Sequence, residues 1–445
     1  MKTFRLGGIH PHAEKHFSQG HEIEAIASPK EYTLLLSQHI GSPAKCVVKA
    51  GETVFAGQMV AQAAGFVSAP VHTPVAGKVK KLDKVRDAMG FWQDAVIITA
   101  EEAMVENAGG TPSPEATVEP ASEPQTPGEI VRRVGDCGVV GLGGATFPTR
   151  VKLTVPEGKH ADFVLINGAE CEPYLTCDDQ LMRQRSREII SGVQLLMQAV
   201  GVSKAYVGIE ENKPEAIDAM KAEASASGCD IEVVTLKKKY PQGGEKQLIN
   251  AITGRVVPAS GLPIDAGCIV DNVATAYAVY QAVALSRPLT ERVVTVTGPD
   301  VRRPGNYLVR IGTPIIDVIE AAGGLPDDTG KVLAGGPMMG RAVSELSAPV
   351  TKGLSGLTIL PRSQSWRRPE QTCIRCMRCV DACPMGLQPY LLGTLGKLHL
   401  AEESRDQGVM NCIECGSCTW VCPSSRPLVD YIKLAKQLVR SLPRE

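Results

Sequence analysis

Aromatic residues are scarce in this chain: three Trp, nine Tyr and seven Phe among 445 residues, 4% in all. There are few platforms on which bases could stack, and 47 Lys and Arg against 48 Asp and Glu leave a formal net charge of −1. Neither stacking nor a net positive field therefore makes a case for nucleic acid. Long apolar runs are lacking too. No stretch reaches the roughly 18 residues a spanning helix requires, and the nearest candidate, Ile264 to Leu285, is interrupted by Asp265, Asp271 and Asn272. Any hold on a membrane is expected to be peripheral, through a partner. The opening residues Met1-Lys2-Thr3-Phe4-Arg5-Leu6-Gly7-Gly8 lack the apolar core and cleavage site of a secretory signal, so the expected compartment is the cytoplasm. The length predicts about three domains at roughly 150 residues each.

Cysteine, by contrast, is plentiful, and eight of the 14 fall into two copies of one phrase. The first is Cys373-Ile-Arg-Cys376-Met-Arg-Cys379-Val-Asp-Ala-Cys383-Pro384, the second Cys412-Ile-Glu-Cys415-Gly-Ser-Cys418-Thr-Trp-Val-Cys422-Pro423. This is the spacing that holds [4Fe-4S] clusters in bacterial two-cluster ferredoxins, where the fourth cysteine of each run serves the other cluster. Three thiolates two residues apart wrap a tight loop around one cubane, and the fourth, before a chain-turning proline, is set aside for its neighbour. One cluster is expected on Cys373, Cys376, Cys379 and Cys422, the other on Cys412, Cys415, Cys418 and Cys383. Structural zinc would use two C-x2-C knuckles, and disulfides would need an oxidising compartment. The chain is therefore expected to move electrons. Cys46, Cys137, Cys171, Cys177, Cys229 and Cys268 are scattered and read as small buried hydrophobes. His10, His12, His16 and His21 cluster in sequence without the spacing of a metal set.

Residues 40 to 100 alternate short Val-rich strands with Gly and Pro, which predicts a small β domain. The phrasing resembles barrel-sandwich domains of the biotinyl and lipoyl type. Where those carry a modified lysine, this chain reads Ala64-Gly65-Phe66-Val67-Ser68, so a docking module is expected in place of a swinging arm. From Glu101 the composition turns to Pro, Glu, Ala and Ser, a linker unable to bury a core. Thr126-Pro127-Gly128-Glu129 then predicts a helix start. Strand-like segments at 163–166, 205–209 and 231–234 alternate with helical ones at 187–200 and 214–224, the pattern of an α/β layer with a parallel sheet. Val293 to Gly298, the turn Arg303 to Tyr307 and the helical Pro314 to Ala322 suggest a β-grasp module.

The α/β part carries its own chemistry. Gly141-Leu142-Gly143-Gly144-Ala145-Thr146-Phe147-Pro148-Thr149-Arg150-Val151-Lys152 is a glycine-rich loop ending in a cation. Its backbone N–H groups can approach an anion closely, although it is neither a Walker loop nor a G-x-G-x-x-G turn. Three further phrases follow: Asn167-Gly168-Ala169-Glu170-Cys171-Glu172-Pro173 at a strand end, Tyr240-Pro241-Gln242-Gly243-Gly244-Glu245-Lys246, and Asp271-Asn272-Val273-Ala274-Thr275. Strand-end loops are where α/β sheets bind ligands.

On these phrases the chain resembles the flavin- and NADH-binding subunit of respiratory complex I. More closely, from Gly7-Gly8-Ile9-His10-Pro11 through the paired cysteine runs, it resembles RnfC, the C subunit of the Rnf ion-translocating electron-transport complex. The resemblance implies non-covalent FMN, with Gly141, Gly143, Gly144 and Lys152 near its phosphate. Asn167 and Asn272 would lie near the flavin or ribityl chain, Tyr240, Gly243 and Glu245 around the isoalloxazine, and Phe147 and Glu172 would face NAD(H). Glu170 is expected either to contact flavin or to serve a helix dipole. Departures from the complex I pattern are Ala169, Gly244 and Leu153. The implied architecture is multidomain α/β: a barrel-sandwich module in 1–100, a linker in 101–127, a Rossmann-like flavin domain in 128–288, a β-grasp module in 289–362 and a helical two-[4Fe-4S] ferredoxin domain in 363–445. The implied role is electron transfer between NAD(H), FMN and two clusters, as an oxidoreductase subunit of a translocase, beside the other Rnf subunits including a ferredoxin-type one, on the cytoplasmic face of the bacterial inner membrane. A cobalamin reductase, in which the barrel-like module follows the clusters, and a non-catalytic iron–sulfur adaptor are the rivals.

Overall fold

The computed structural model describes residues 1–101 and 126–443. The expected linker therefore lies, apart from its end residues, outside the described residues. Ahead of it two antiparallel sheets face each other. One orders its strands Glu31–Leu35, Trp92–Ala100, Gly77–Arg86 and Thr53–Val54, the other Lys45–Cys46, Met59–Gln62 and Val71–His72. Alternation places Tyr32, Leu34, Val54, Val60, Val71, Val79, Val96 and Ile98 between the sheets, where each is fully buried.

The helix Pro127–Asp136 starts where the sequence signals it. Thr126 accepts from the Glu129 N–H at 3.3 Å, and the Glu129 carboxylate accepts in turn from the Thr126 N–H at 2.7 Å. Four parallel strands follow, in the order Asp230–Leu236, Lys204–Glu210, Phe163–Gly168 and Cys268–Asn272. The helices Ser186–Val200 and Val273–Ala284 pack closely on one another. A Cβ on Gly192 would lie 1.9 Å from the Ala276 carbonyl oxygen, so only glycine permits the approach. This packing holds the carboxyl ends of the two neighbouring strands Phe163–Gly168 and Cys268–Asn272 level, with Asn167 and Asn272 as register partners.

In the third module the hairpin Glu291–Thr297 and Gly305–Arg310 precedes the helix Ile315–Ala321, and Gly356–Pro361 runs parallel beside Glu291–Thr297, a β-grasp arrangement. Its sheet recruits Ile23–Ala25 from the amino-terminal region, parallel to Gly305–Arg310. Residues before Ile23 are likewise spread over other modules: Lys2 bridges to Leu236, and Ile9 pairs with Tyr240.

The carboxyl-terminal region shows its duplication in space. Each cysteine triplet runs into a one-turn helix, Arg378–Asp381 or Ser417–Trp420, then past Cys-Pro into a longer helix, Pro389–Lys397 or Leu428–Ser441. The long helices meet at Gly396, where a Cβ would stand 2.1 Å from the Tyr431 carbonyl oxygen. No helix among the described residues is long and apolar enough to cross a membrane.

Candidate functional site

At the carboxyl edge of the parallel sheet four phrases distant in sequence converge. Asn272 caps the helix behind it by accepting from the Ala274 N–H at 2.8 Å, and its amide donates to Asp178 at 2.7 Å and to the Asn167 carbonyl at 3.3 Å. Asn167 donates to the Gly243 carbonyl at 2.8 Å. The glycine loop crosses this pair: a Cβ on Gly143 would lie 2.8 Å from the Asn272 side chain, and one on Gly243 would lie 3.3 Å from Asn167 and from Cys171. Any side chain at either glycine would fill the cradle. Among the described residues the backbone N–H groups of Gly143, Gly144 and Ala145 make no hydrogen bond, and all three residues are exposed. Gly141 is committed, donating to the Phe147 carbonyl at 2.8 Å, and Phe147 is half-buried at the loop's end. A planar ring over two amides, with free N–H donors at one end for an anion, suits this cradle.

Lys152 stands below the loop. Its ammonium donates to the Glu245 carboxylate at 3.0 Å and the Val270 carbonyl at 2.8 Å, and it lies 3.7 Å from Asp271. Burial alone would lower its pKa, but Asp271 and Glu245 raise it, so the cation is firmly charged. Burial pushes Asp271 up to about 6 against the pull of Lys152, and neither of its oxygens accepts a hydrogen bond among the described residues.

Glu170 and Glu172 turn elsewhere. Glu170 is buried with φ 44°. It accepts from the Asp178 N–H at 2.7 Å at the start of the helix Cys177–Gln184 and lies 3.5 Å from the Lys15 ammonium, which places it at a helix N-terminus rather than in the open cradle. Glu170, Cys177 and Asp178 bring donor atoms within 4.8 Å of one another, but Lys15, Lys213 and Arg292 already surround these acids. Glu172 accepts from the N–H groups of Met338 at 3.1 Å and Met339 at 2.8 Å, in the β-grasp module. Burial pushes its pKa up to about 7 even against those two bonds.

Tyr240 joins the cradle to the cysteines. It is buried, paired through both backbone groups with Ile9, and its hydroxyl donates to the Cys415 carbonyl at 2.8 Å. Gly8 donates to the Ala382 carbonyl at 3.0 Å, and a Cβ on Gly7 would lie 2.4 Å from the Cys383 carbonyl oxygen. The amino-terminal Gly-Gly-Ile phrase is thus a strap between the parallel-sheet domain and the cysteine loops. In the sequence that phrase counts only toward the resemblance and has no assigned role. Its signal is two adjacent glycines with φ of 64° and 89°, required by close approach.

The two cysteine loops repeat one backbone form. Arg375 and Met377 in the first, Glu414 and Gly416 in the second, all adopt positive φ at matching places. Three are not glycine, so each loop holds backbone strain at the same places. The N–H groups of Arg375 and Glu414 point at the Cys373 and Cys412 sulfurs at 3.4 Å, and that of Leu387 at Cys383, also at 3.4 Å. Cys383, Cys412, Cys415 and Cys418 line one mostly apolar cavity with Pro384, Leu387 and Ile432. Burial pushes Cys412 up to about 11, and the nearby Cys415 and Cys383 add to it. Cys379 is raised by burial and by Cys422. No described cysteine forms a disulfide. The crossed grouping, with Cys383 beside the second triplet and Cys422 beside the first, fits two cubanes. Of the six other cysteines, Cys137, Cys177 and Cys268 are buried as expected, while Cys46 and Cys171 are only half-buried, Cys229 is exposed, and Cys171 accepts from the Gly243 N–H at 3.3 Å.

Comparison with known proteins agrees with this arrangement. Residues 2–103 match the RnfC barrel sandwich hybrid domain, 134–281 the Nuo51 FMN-binding domain, 293–342 the SLBB domain and 365–423 the 4Fe-4S dicluster domain. The chain is 41% identical to the C subunit of the proton-translocating ferredoxin:NAD(+) oxidoreductase complex of Clostridium ljungdahlii, over 98% of this chain and 94% of that one. The chain belongs to the RnfC family. Its Acetobacterium woodii relative, the C subunit of a Na(+)-translocating ferredoxin:NAD(+) oxidoreductase complex, is 40% identical over 98% of this chain and 96% of its own. The C subunit of the Rhodobacter capsulatus ion-translocating oxidoreductase complex is 39% identical over 98% and 83%. A chain of an NAD+-reducing [NiFe]-hydrogenase in the H2-reduced state shares the fold, with a TM-score of 0.52 at 21% identity over 74% of this chain and 66% of that one. The barrel-sandwich module precedes the FMN-binding domain, the Rnf order expected from the sequence.

Proposed function

We propose that this chain is the NAD(H)-, FMN- and [4Fe-4S]-bearing electron-transfer subunit of an Rnf-type membrane complex, an oxidoreductase subunit of a translocase. The observation that carries this reading is the Tyr240 hydroxyl on the Cys415 carbonyl, which ties a strand-end cradle to a cysteine loop by one hydrogen bond. FMN, when bound, accepts two electrons at once and releases them singly, and [4Fe-4S] clusters carry the single electrons onward.

The chain's own residues divide the remaining work. Gly141, Gly143 and Gly144 shape the loop, its free N–H groups and Lys152 face the phosphate, and Asn167 and Asn272 lie under the flavin or ribityl chain. Tyr240, Gly243 and Glu245 bound the ring, Phe147 and Glu172 border the nicotinamide dinucleotide, and Glu170 supports the cradle from below. Cys412, Cys415, Cys418 and Cys383 hold the inner cluster, beside Tyr240, and Cys373, Cys376, Cys379 and Cys422 the outer one. Modules at 1–100, 128–288, 289–362 and 363–445, with a linker at 101–127, are the proposed limits. Ion translocation falls to the other subunits, and attachment through them sets the chain at the cytoplasmic face of the bacterial inner membrane.

The double variant Cys376→Ala with Cys415→Ala tests this. It is expected to keep stoichiometric flavin and NADH-dependent flavin bleaching while losing the reduced-cluster EPR signals. Intact signals would overturn the ligand assignment, and absence of flavin from the unmodified reconstituted chain would leave only an iron–sulfur adaptor.

A further inference from the structure

Beyond Asn272 lies a set of charged side chains that the electron path does not use. The Asn272 amide donates to the Asp178 carboxylate at 2.7 Å, and the Asp178 N–H donates to Glu170 at 2.7 Å. The set continues to Lys15, 3.5 Å from Glu170, and to Lys213, 3.9 Å from Glu210, with Asp179 close enough to feel Glu170, Lys213 and Lys15. Arg292 of the β-grasp hairpin faces Asp178, and the Cys177 thiol, which burial keeps neutral, sits beside both. Two neighbours are engaged elsewhere: Arg183, half-buried next to Asp179, pairs with exposed Glu215 at 3.6 Å, and Glu172 accepts from Met338 and Met339.

Counter-charge falls one short. Four acids, Glu170, Asp178, Asp179 and Glu210, meet three buried cations, Lys15, Lys213 and Arg292. The cations direct their protons at carbonyls: Lys15 at those of Glu172 and Leu175, Lys213 at that of Ala169 at 2.7 Å, and Arg292 at those of Leu142 and Lys352. Asp179 is fully buried and the Glu170 side chain is 4% exposed, yet Oε2 of Glu170 and both carboxyl oxygens of Asp179 lack a hydrogen-bond partner among the described residues. Buried carboxylate oxygens without donors are unstable, and a proton relieves them. Burial accordingly raises the pKa of all four acids, that of Asp179 to about 6.

We propose that this carboxyl set is a proton site coupled to the cradle: one proton enters it from water as a two-electron acceptor bound over Asn167 and Asn272 is reduced, and leaves as the electrons depart. This rests on the reading of the cradle as a flavin site. A hydride from a dihydronicotinamide brings two electrons and one proton, and it leaves one net negative charge in the cradle. The proton taken up at Asp178 or Glu170 offsets that charge. When the two electrons pass singly to the thiol loops, the hydride's proton and the carboxyl proton both return to water. The Asn272 amide is the link, since a negative charge on its cradle side and an ionised Asp178 on the other repel across a single side chain, in surroundings that screen poorly.

The slope of the bound flavin's midpoint potential against pH, measured by spectroelectrochemistry on the reconstituted full chain, counts the protons taken up with two electrons. About two are expected near neutral pH, one on the hydride and one on the carboxyl set. Asp178→Asn and Glu170→Gln each keep the oxygen that accepts from Asn272 or from the Asp178 N–H, so flavin should stay bound while the slope falls, to about half in the double variant. Asp94→Asn, at an exposed acid of the barrel-sandwich module, should leave the slope unchanged. In the flavin-free chain, infrared difference spectra over the same pH range should show the carbonyl band of a protonated buried carboxyl, weakened by either single variant. An undiminished slope in variants that bind flavin, or a one-proton slope in the unmodified chain, overturns the coupling. No buried carboxyl band overturns the proton site itself. Absence of flavin from the unmodified chain overturns the cradle reading and the coupling with it, even where the infrared band stands.

Discussion

Tyr240 is fixed on three sides, by two backbone bonds to Ile9 and one hydroxyl bond to Cys415. Tyr240→Phe removes only the last, a neutral bond worth about 1 kcal/mol net. Fold and flavin content are expected to survive, while the rate of cluster reduction measured by stopped flow drops and flavin reduction by NADH does not. Glu172 offers a test by pH. Its pKa of about 7 lies above the roughly 4.3 of an unfolded glutamate. The folded state therefore holds the proton through that window, and the stability this provides, full below the lower value, is lost as pH rises through the upper one. Urea unfolding of Glu172→Gln at several pH values should lack that decline. At this scale the glycines and asparagines of the cradle could be read from sequence because strand-end phrases announce themselves. The partners of Glu170 and Glu172 could not: Lys15 and Met338 lie more than 150 residues away along the chain, and no local pattern brings them together.

Elements were legible in proportion to their length and periodicity. Three of the four parallel strands lie within two residues of where alternation put them, the fourth, Cys268–Asn272, having gone unread as a strand, and the capping box at Thr126 fixed its helix start. Ile23–Ala25 and Arg341–Ala342, three and two residues long, pair only because a sheet edge awaits them. The contact between Ser186–Val200 and Val273–Ala284 leads to a sharp expectation. Gly192→Ala would drive a methyl into the Ala276 carbonyl and should destabilise the flavin-type domain by about 1–3 kcal/mol, as overpacking does. A fall in urea midpoint at unchanged slope would register it, and an unchanged midpoint would mean the helices can part freely.

Across the whole molecule the modules are joined by groups to which no sequence motif assigns a role. Lys352 is buried where three modules meet, donating to the carbonyls of Pro70 and Gly138 at 2.7 Å each. Burial pushes its pKa down to about 7, below the roughly 10.4 of an unfolded lysine. The unfolded state thus binds more protons between those values, so stability should rise with pH across that window and fall as pH drops through the lower value. Lys352→Met should abolish that rise in thermal unfolding. The amino-terminal strap is the other joint. Gly7→Ala would press a methyl into the Cys383 carbonyl at a backbone φ that favours glycine. It is expected to leave NADH bleaching of the flavin intact and slow the arrival of electrons at the clusters.

The most direct test of the central claim, that electrons pass from the cradle through the Tyr240 contact to the inner and then the outer thiol loop, is an anaerobic NADH titration of the reconstituted chain followed optically and by EPR. The account predicts that flavin absorbance bleaches and that signals from two reduced [4Fe-4S] clusters follow, with the cluster signals, but not the bleaching, lost in the double cysteine variant. Bleached flavin with clusters that dithionite reduces but NADH leaves oxidised would contradict it.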